Sequence, residues 1–266
     1  MAGEKEPSIQ TLVTTVEMRG ARELLAAMNL QGHNVIIGNQ CDKNRVYREG
    51  KALIVCEDLR GVGQNRNAIL ARADAQICVL ADDDMRFCDE YEQTVARVFS
   101  QNSDADVVIF NFLEKSNGRR TVRKKRRVWL HNYMNYGAAR LAFRRRALAY
   151  HGILFSTMFG GGARHRCGED SLFLRACLRA GLRVVAVPEA LAALTDARAS
   201  TWFRGYTDEY LFDKGVFLGI AHPRLAGVMA LLLCWKHKEY RKGRSFYATY
   251  KRVKKGIAYA RSGCRA

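Results

Sequence analysis

The stretch Ala75-Gln76-Ile77-Cys78-Val79-Leu80-Ala81-Asp82-Asp83-Asp84 decides how this chain reads. An almost wholly apolar run, which reads as a strand, leads straight into three carboxylates. In open α/β sheets, ligands lie beyond the carboxyl ends of the strands, so the acidic triplet stands where a ligand site belongs. Three successive carboxylates repel one another, and a divalent, oxygen-seeking cation removes that cost. On an extended backbone Asp82 and Asp84 point to the same side, so the pair can serve one nucleotide–metal site. The other reading of the triplet is an acidic turn that caps the next helix.

Outward from this strand, short apolar runs alternate with helical periodicity, the pattern of βαβ units and a mostly parallel sheet. Strands are predicted at 10–16, 34–38, 52–56, 106–112 and 136–144, with a further one at 183–187 stopped by Pro188. Helices are predicted at 19–29, with Leu24, Leu25 and Met28 on one face, and at 63–73, burying Ile69 and Leu70. Further helices are predicted at 89–100 and at 171–180, where Leu172, Phe173, Ala176 and Cys177 turn inward and Gly181 follows as a C-terminal cap. The basic segment 116–127 has no apolar face and reads as an exposed loop or hairpin. Beyond about residue 199 the pattern is helical. The expected architecture is an α/β domain over 1–198 and a basic helical extension over 199–266.

Composition narrows the classes. The 266 residues are 48% hydrophobic and 26% charged with only 3 Pro, which describes a folded protein without Pro-rich linkers. The net charge of +18 makes a long-range field for anions: nucleic acid, an anionic membrane surface or a phosphate-rich small substrate. Its sources are clustered at Arg119-Arg120, 123–127, Arg144-Arg145-Arg146 and 236–265, although each run also reads as a solvated face. Eight scattered cysteines without a CxxC pair fit neither a zinc site nor a disulfide scaffold. The charged Met1-Ala2-Gly3-Glu4-Lys5-Glu6 lacks a signal-peptide apolar region, so a reducing, cytosolic compartment is expected. His222-Pro223-Arg224 interrupts the apolar stretch 216–235. What remains, 225–235, is well short of the ~20 residues of a bilayer span and predicts a buried or interfacial helix.

Two further motifs each carry two readings. Gly61-Val62-Gly63-Gln64-Asn65-Arg66-Asn67 is either a loop-to-helix junction whose amides and Arg66 attract an anion, or a glycine turn with a surface arginine. Gly168-Glu169-Asp170 is either the cap of the helix that follows or a carboxylate facing an acceptor hydroxyl as general base. The glycines Gly160-Gly161-Gly162 before it allow a close backbone approach or a lid, and His165, Arg166 and Cys167 read as loop residues.

In combination these motifs are more specific. Val79-Leu80-Ala81-Asp82-Asp83-Asp84, the Gly61–Asn67 turn, and Phe159-Gly160-Gly161-Gly162 followed by Gly168-Glu169-Asp170-Ser171-Leu172-Phe173 resemble the family 2 glycosyltransferases of the GT-A fold, over about 9–188. Ser200-Thr201-Trp202-Phe203-Arg204-Gly205-Tyr206 and Asp213-Lys214-Gly215 resemble a bacterial subgroup that builds surface polysaccharide. The resemblance implies a nucleotide-diphosphate sugar donor, with a UDP-sugar expected. It also implies inverting transfer to a carbohydrate or lipid-linked acceptor, in the cytoplasm or peripherally on the inner face of the cell membrane. By the same resemblance Asp82 approaches the ribose and Asp84 binds Mn²⁺ or Mg²⁺. Asp83 joins the nucleotide-sugar contacts or shapes the turn. Asp170 takes the acceptor proton, with Glu169 shaping the acceptor pocket. Thr14, Thr15, Glu17 and Asn39 contact the nucleoside, and Arg66 lies near nucleoside or diphosphate.

The chain departs from the family pattern in two places. Gly38-Asn39-Gln40-Cys41-Asp42 stands where the family often has an Asp that reads the base. Leu194-Thr195-Asp196-Ala197 lacks the late His of the metal shell, leaving Asp196 as substitute, with His222 as an alternative or as a helix-break residue. Two other classes compete. A sugar nucleotidyltransferase would carry a Gly-rich phosphate loop after the first strand, of which Thr14-Thr15-Val16-Glu17-Met18-Arg19-Gly20 is a poor version. A nucleic-acid-binding protein would interleave aromatics with basic residues, as at 202–210 and 246–250, but helical periodicity accounts for those aromatics and nucleic acid is not the expected partner.

Overall fold

A computed structural model of the chain describes residues 6–113, 121–195, 205–241 and 243–263. The amino-terminal part lays down β1 (Ile9–Val16), α1 (Ala21–Ala27), β2 (Val35–Gln40), β3 (Arg45–Glu49), β4 (Ala52–Glu57), α2 (Val62–Leu70) and β5 (Ile77–Asp82). Next come β6 (Met85–Phe87), α3 (Tyr91–Gln101), β7 (Val107–Phe112), β8 (Arg126–Arg127), β9 (Leu141–Arg144), α4 (Arg145–Tyr150), α5 (Glu169–Arg179) and β10 (Val184–Leu194). Three helices close the chain: α6 (Asp208–Ala221), α7 (Ala226–Lys236) and α8 (Phe246–Arg261).

All the strands join one sheet in the order β3-β4-β2-β1-β5-β9-β7-β10-β6, with β8 on the flank of β10. β4, β2, β1 and β5 are mutually parallel, and β7 and β10 run the same way, because β9 is antiparallel to both β5 and β7. The carboxyl ends of β1, β2 and β5 therefore share one edge, with Thr14 in register with both Gly38 and Asp82. Successive side chains of a strand serve opposite faces. Val13, Ile37 and Ile54 face Met28, Tyr91 and Phe99 of the α1/α3 layer, while Leu12, Ile36 and Leu80 face Ile69, Phe173 and Cys177 of the α2/α5 layer. Two-sided burial is why the strands read as continuous apolar runs.

α6, α7 and α8 form a third apolar cluster with Phe159 and Leu172 of the sheet domain. Thr207 and Ser245 cap α6 and α8 by accepting from Tyr210 N at 3.2 Å and Ala248 N at 3.1 Å. α6 and α8 cross closely, since a Cβ on Gly215 would stand 2.0 Å from the Val253 carbonyl oxygen, and one on Gly256 2.0 Å from that of Phe212.

The structure departs from the sequence reading in several places. β3 was not predicted; it is an exposed edge strand, antiparallel to β4, and lacks the apolar face on which a pattern search depends. β10 does not stop at Pro188 but shifts register across 186–192 and continues to Leu194, a bulge being the place where a sheet tolerates a residue without an N–H. The predicted strand 136–144 is a strand only from Leu141; before it lie two 3₁₀ turns, Tyr133–Asn135 and Ala138–Arg140. Of the basic segment, 114–120 lies outside the described residues, but Val122 is buried and exchanges two hydrogen bonds with the Asn111 amide, and Arg126-Arg127 pair with β10. Nor is the whole Arg144-Arg145-Arg146 run a free patch: Arg144 Nε donates to the Ala105 carbonyl and Arg145 Nε to that of Ala75.

Candidate active site

Three strand ends and two helix starts meet at the carboxyl edge. β1 ends in threonines whose hydroxyls hold the acidic turn: Thr14 Oγ1 donates to Asp82 Oδ1 at 3.0 Å and Thr15 Oγ1 to Asp83 Oδ2 at 2.7 Å. α2 begins at Gly61, whose φ of +146° suits glycine, and its amide is received by Gln40 Oε1 at 2.7 Å. Gly63 allows the Ser156 carbonyl to pass where a side chain would be, and Val62 N donates to the Gly161 carbonyl. The glycine-rich loop is thus drawn onto the first turn of α2.

One turn along α2, Arg66 points into the space between the two acidic motifs. Its guanidinium, with 4% of the side chain exposed, lies 3.0 Å from Asp82 Oδ1, 3.1 Å from Asp170 Oδ1 and 3.8 Å from Glu169 Oε1. Burial works against the charge, but the three carboxylates outweigh it and hold Arg66 more firmly protonated than a free arginine. Glu169 is pushed the other way: burial first, then the charge of Asp170, raise it to about 8 against the opposing pull of Arg66. Asp170 Oδ2 reaches Gly137, where an added Cβ would stand at 3.2 Å.

These groups line a cavity of about 320 Å³, with Arg66, Asp82, Glu169 and Asp170 on one side and Asn135, Tyr136, Gly137 and Arg140 on the other. The second wall was missed in the sequence because 136–144 read as a strand; the 3₁₀ turns instead direct Tyr136 and Arg140 to the site. Lys214 of α6 is not part of this lining but feels its carboxylates. Its burial lowers and Cys167, Tyr240, Glu169 and Asp170 raise its proton affinity, with the net shift upward, so it adds positive charge beside the carboxylate pair. A larger cavity, about 580 Å³, lies around Arg164, His165 and α8, but contains none of the converging carboxylates and is not the chemical centre. His165, read as a loop residue, is buried with Nδ1 2.8 Å from Asp213 Oδ1, while Arg166 N donates to Asp213 Oδ2, so Asp213 pins the loop before Gly168 onto α6.

The remaining expected contacts sit around the β1–β2 edge. Asn39 is buried, and its amide is engaged by Met18 N and Cys56 Sγ, so it shapes the turn after β1. Glu17, with φ +50°, is exposed and ion-paired to Arg60. His222 ends α6 and is hydrogen bonded to the Tyr133 hydroxyl at 2.8 Å, a structural tie. Asp196 lies outside the described residues, as does 200–204.

Among the described residues no three His, Cys, Asp or Glu side chains gather to cage an ion. Asp84 is half-buried at the tip of the turn, and its carbonyl accepts from Thr195 N at 2.7 Å and Thr195 Oγ1 at 3.0 Å. Hard carboxylate oxygens suit Mg²⁺ or Mn²⁺, and so few of them suit an ion whose shell is completed by phosphate oxygens and water.

The mostly parallel sheet flanked by helices has the GT-A-type fold. No family model and no curated protein sequence matches the chain. Among solved structures it is similar to Staphylococcus aureus TarS 1-349 in complex with UDP-GlcNAc, with TM-score 0.61 and 16% identity over 80% of this chain and 66% of that one. The same TarS portion crystallised alone matches at TM-score 0.60 and 14% identity, over 96% and 92% of the two chains. A mannosyltransferase from Pyrobaculum calidifontis in complex with GDP-Man and Mn²⁺ matches at TM-score 0.52 and 14% identity, over 98% and 77%.

Proposed function

We propose that this chain is an inverting, metal-dependent glycosyltransferase that moves a sugar from a nucleotide diphosphate to an acceptor hydroxyl. The observation that carries the reading is the buried Arg66, which joins the Asp82 turn across one cavity to Asp170, a residue 104 positions beyond Arg66 in sequence. Asp82, Asp83, Thr14, Thr15, Glu17, Asn39 and Arg66 form the donor side, with a UDP-sugar as the donor of choice. Asp84 would hold Mn²⁺ or Mg²⁺ with Asp196, which follows Thr195 in sequence. Such an ion supplies charge neutralisation to the departing diphosphate.

On the acceptor side the two carboxylates divide their labour. Glu169, whose proton affinity is raised by burial and by the charge of Asp170, shapes the acceptor pocket. Asp170, paired with Arg66, takes the proton of the acceptor hydroxyl as that oxygen bonds to the anomeric carbon. The nucleoside diphosphate leaves with the bonding electron pair, and attack opposite to it inverts the anomeric centre. We further propose that 1–198 is the catalytic domain and 199–266 the basic extension, and that the acceptor belongs to surface polysaccharide or glycolipid made at an anionic membrane.

Asp170→Asn tests the assignment. Thermal stabilisation by a UDP-sugar with Mn²⁺ is expected to persist while transfer falls by about 10²-fold or more. Transfer at the wild-type rate would overturn the general-base role, and the absence of stabilisation by any nucleotide-sugar, even in the wild-type protein, would overturn the donor class.

A further inference from the structure

α7 turns the usual helix pattern inside out. The fully buried residues of its inner face are small, Ala226, Ala230 and Cys234, with Met229 and Leu233 partly buried beside them. Most of the large apolar residues point away: Leu225, Val228, Leu231, Leu232 and Trp235 are exposed, Trp235 by 70%. Positions 225, 228, 232 and 235 are spaced three and four apart, which stacks them in one stripe along the helix. A helix selected for packing in a core would do the reverse.

The stripe is rimmed by cations. Exposed Arg224 stands at its start and exposed Lys236 and Lys238 at its end, where the one carboxylate, Glu239, is paired with His237. α8 lies alongside, with Arg261 Nη2 donating to the Pro223 carbonyl at 2.9 Å, and its exposed residues include Lys251 and Lys254, while Lys255 lines the cavity beside Arg164. The chain as a whole carries +18.

We infer that α7 is an in-plane membrane-docking helix, whose apolar stripe enters the headgroup–acyl boundary of an anionic bilayer while the cations of its rim and of α8 hold the lipid phosphates. This deepens the peripheral-membrane part of the function proposed above and names the surface responsible. Among the described residues no helix is long and apolar enough to cross a membrane, so the stripe acts by lying in the interface. Trp at the boundary and Lys reaching back to the headgroups are the side chains such a position favours. A second copy of the chain is the poorer occupant, because pairing two stripes face to face would bring two like-charged rims together.

The test is flotation of the full chain with phosphatidylcholine vesicles with and without phosphatidylglycerol, at low and high salt. The wild-type protein is expected to float only with the anionic vesicles, less at high salt, with a blue shift of emission that Trp235→Phe removes. Lys236→Gln with Lys238→Gln weakens binding by about fivefold per cation removed. Val228→Ser, Leu232→Ser and Trp235→Ser together weaken it by about 100-fold or more, without loss of the melting transition because all three positions are exposed. Equal flotation of the triple variant and the wild-type protein would overturn the inference. So would a lipid-free dimer in sedimentation that the triple variant dissolves. Stabilisation by a nucleotide-sugar is read on the same variants, so a failed membrane surface and a failed donor class give different results.

Discussion

Replacing Arg66 by Met tests whether the two halves of the site are one electrostatic unit. The substitution keeps an unbranched side chain of similar reach, so little volume is lost, but it removes the charge shared by Asp82, Glu169 and Asp170. Taking one partner out of a buried ion pair costs about 3–5 kcal/mol, because the other charge is left buried. The lower end applies here. The Asp82 and Asp170 side chains are 34% and 30% exposed, so water relieves them, and Glu169 can retain a proton. About 3 kcal/mol in a chain of 266 residues corresponds to a fall in melting temperature of roughly 6–12 °C. Arg66→Lys, which restores the charge but not the fork, is expected to recover part of the loss and little of the transfer activity. Calorimetry of the three proteins in metal-free buffer measures the effect. If Arg66→Met melted within about 2 °C of the wild-type protein, the carboxylates would not depend on Arg66 and the unit would dissolve.

Glu169 is raised from 4.5 to about 8, so the folded protein holds a proton that the unfolded chain releases. Its stabilising contribution is fully present below 4.5, is lost progressively as pH rises, and is gone above about 8. Glu169→Gln is expected to flatten the decline in stability across that window, and parallel melting-temperature profiles for variant and wild type would refute it. Gly256→Ala forces a Cβ to within 2.0 Å of the Phe212 carbonyl oxygen and should cost about 1–3 kcal/mol as α6 and α8 separate. Gly227→Ala in α7, which meets nothing within 4 Å, should be neutral or gain up to about 1 kcal/mol, and urea denaturation of the pair separates crowding from helix propensity.

Much of the sheet was legible because its strands are buried on both faces and written in Val, Ile and Leu; β1, β2, β4, β5 and β7 all fall within a few residues of the predicted runs. The exceptions share a cause. β3 is exposed and polar, β10 passes a proline by bulging, and 133–140 is held as 3₁₀ turns by neighbours distant in the chain. One such neighbour is His222, bonded to Tyr133 89 residues earlier. Periodicity reports solvent exposure along a segment, and none of these features leaves a periodic trace.

The acidic triplet, the glycine-rich loop and Gly168-Glu169-Asp170 could be picked out by residue type, since few other arrangements place carboxylates at a strand end and at a helix start. Sequence alone therefore determined the fold class, the edge of the sheet where ligands belong, and the set of candidate groups. Tertiary structure alone decided how those groups act on one another. Arg66 read equally well as a surface arginine; only burial between three carboxylates makes it the link between the two motifs. The raised proton affinity of Glu169 likewise comes from burial and the neighbouring charge of Asp170. The outward face of α7 emerged only when Ala226, Ala230 and Cys234 were found packed inward. Charge coupling and desolvation depend on distance in space and on excluded water, and neither is written in the order of residues along a chain.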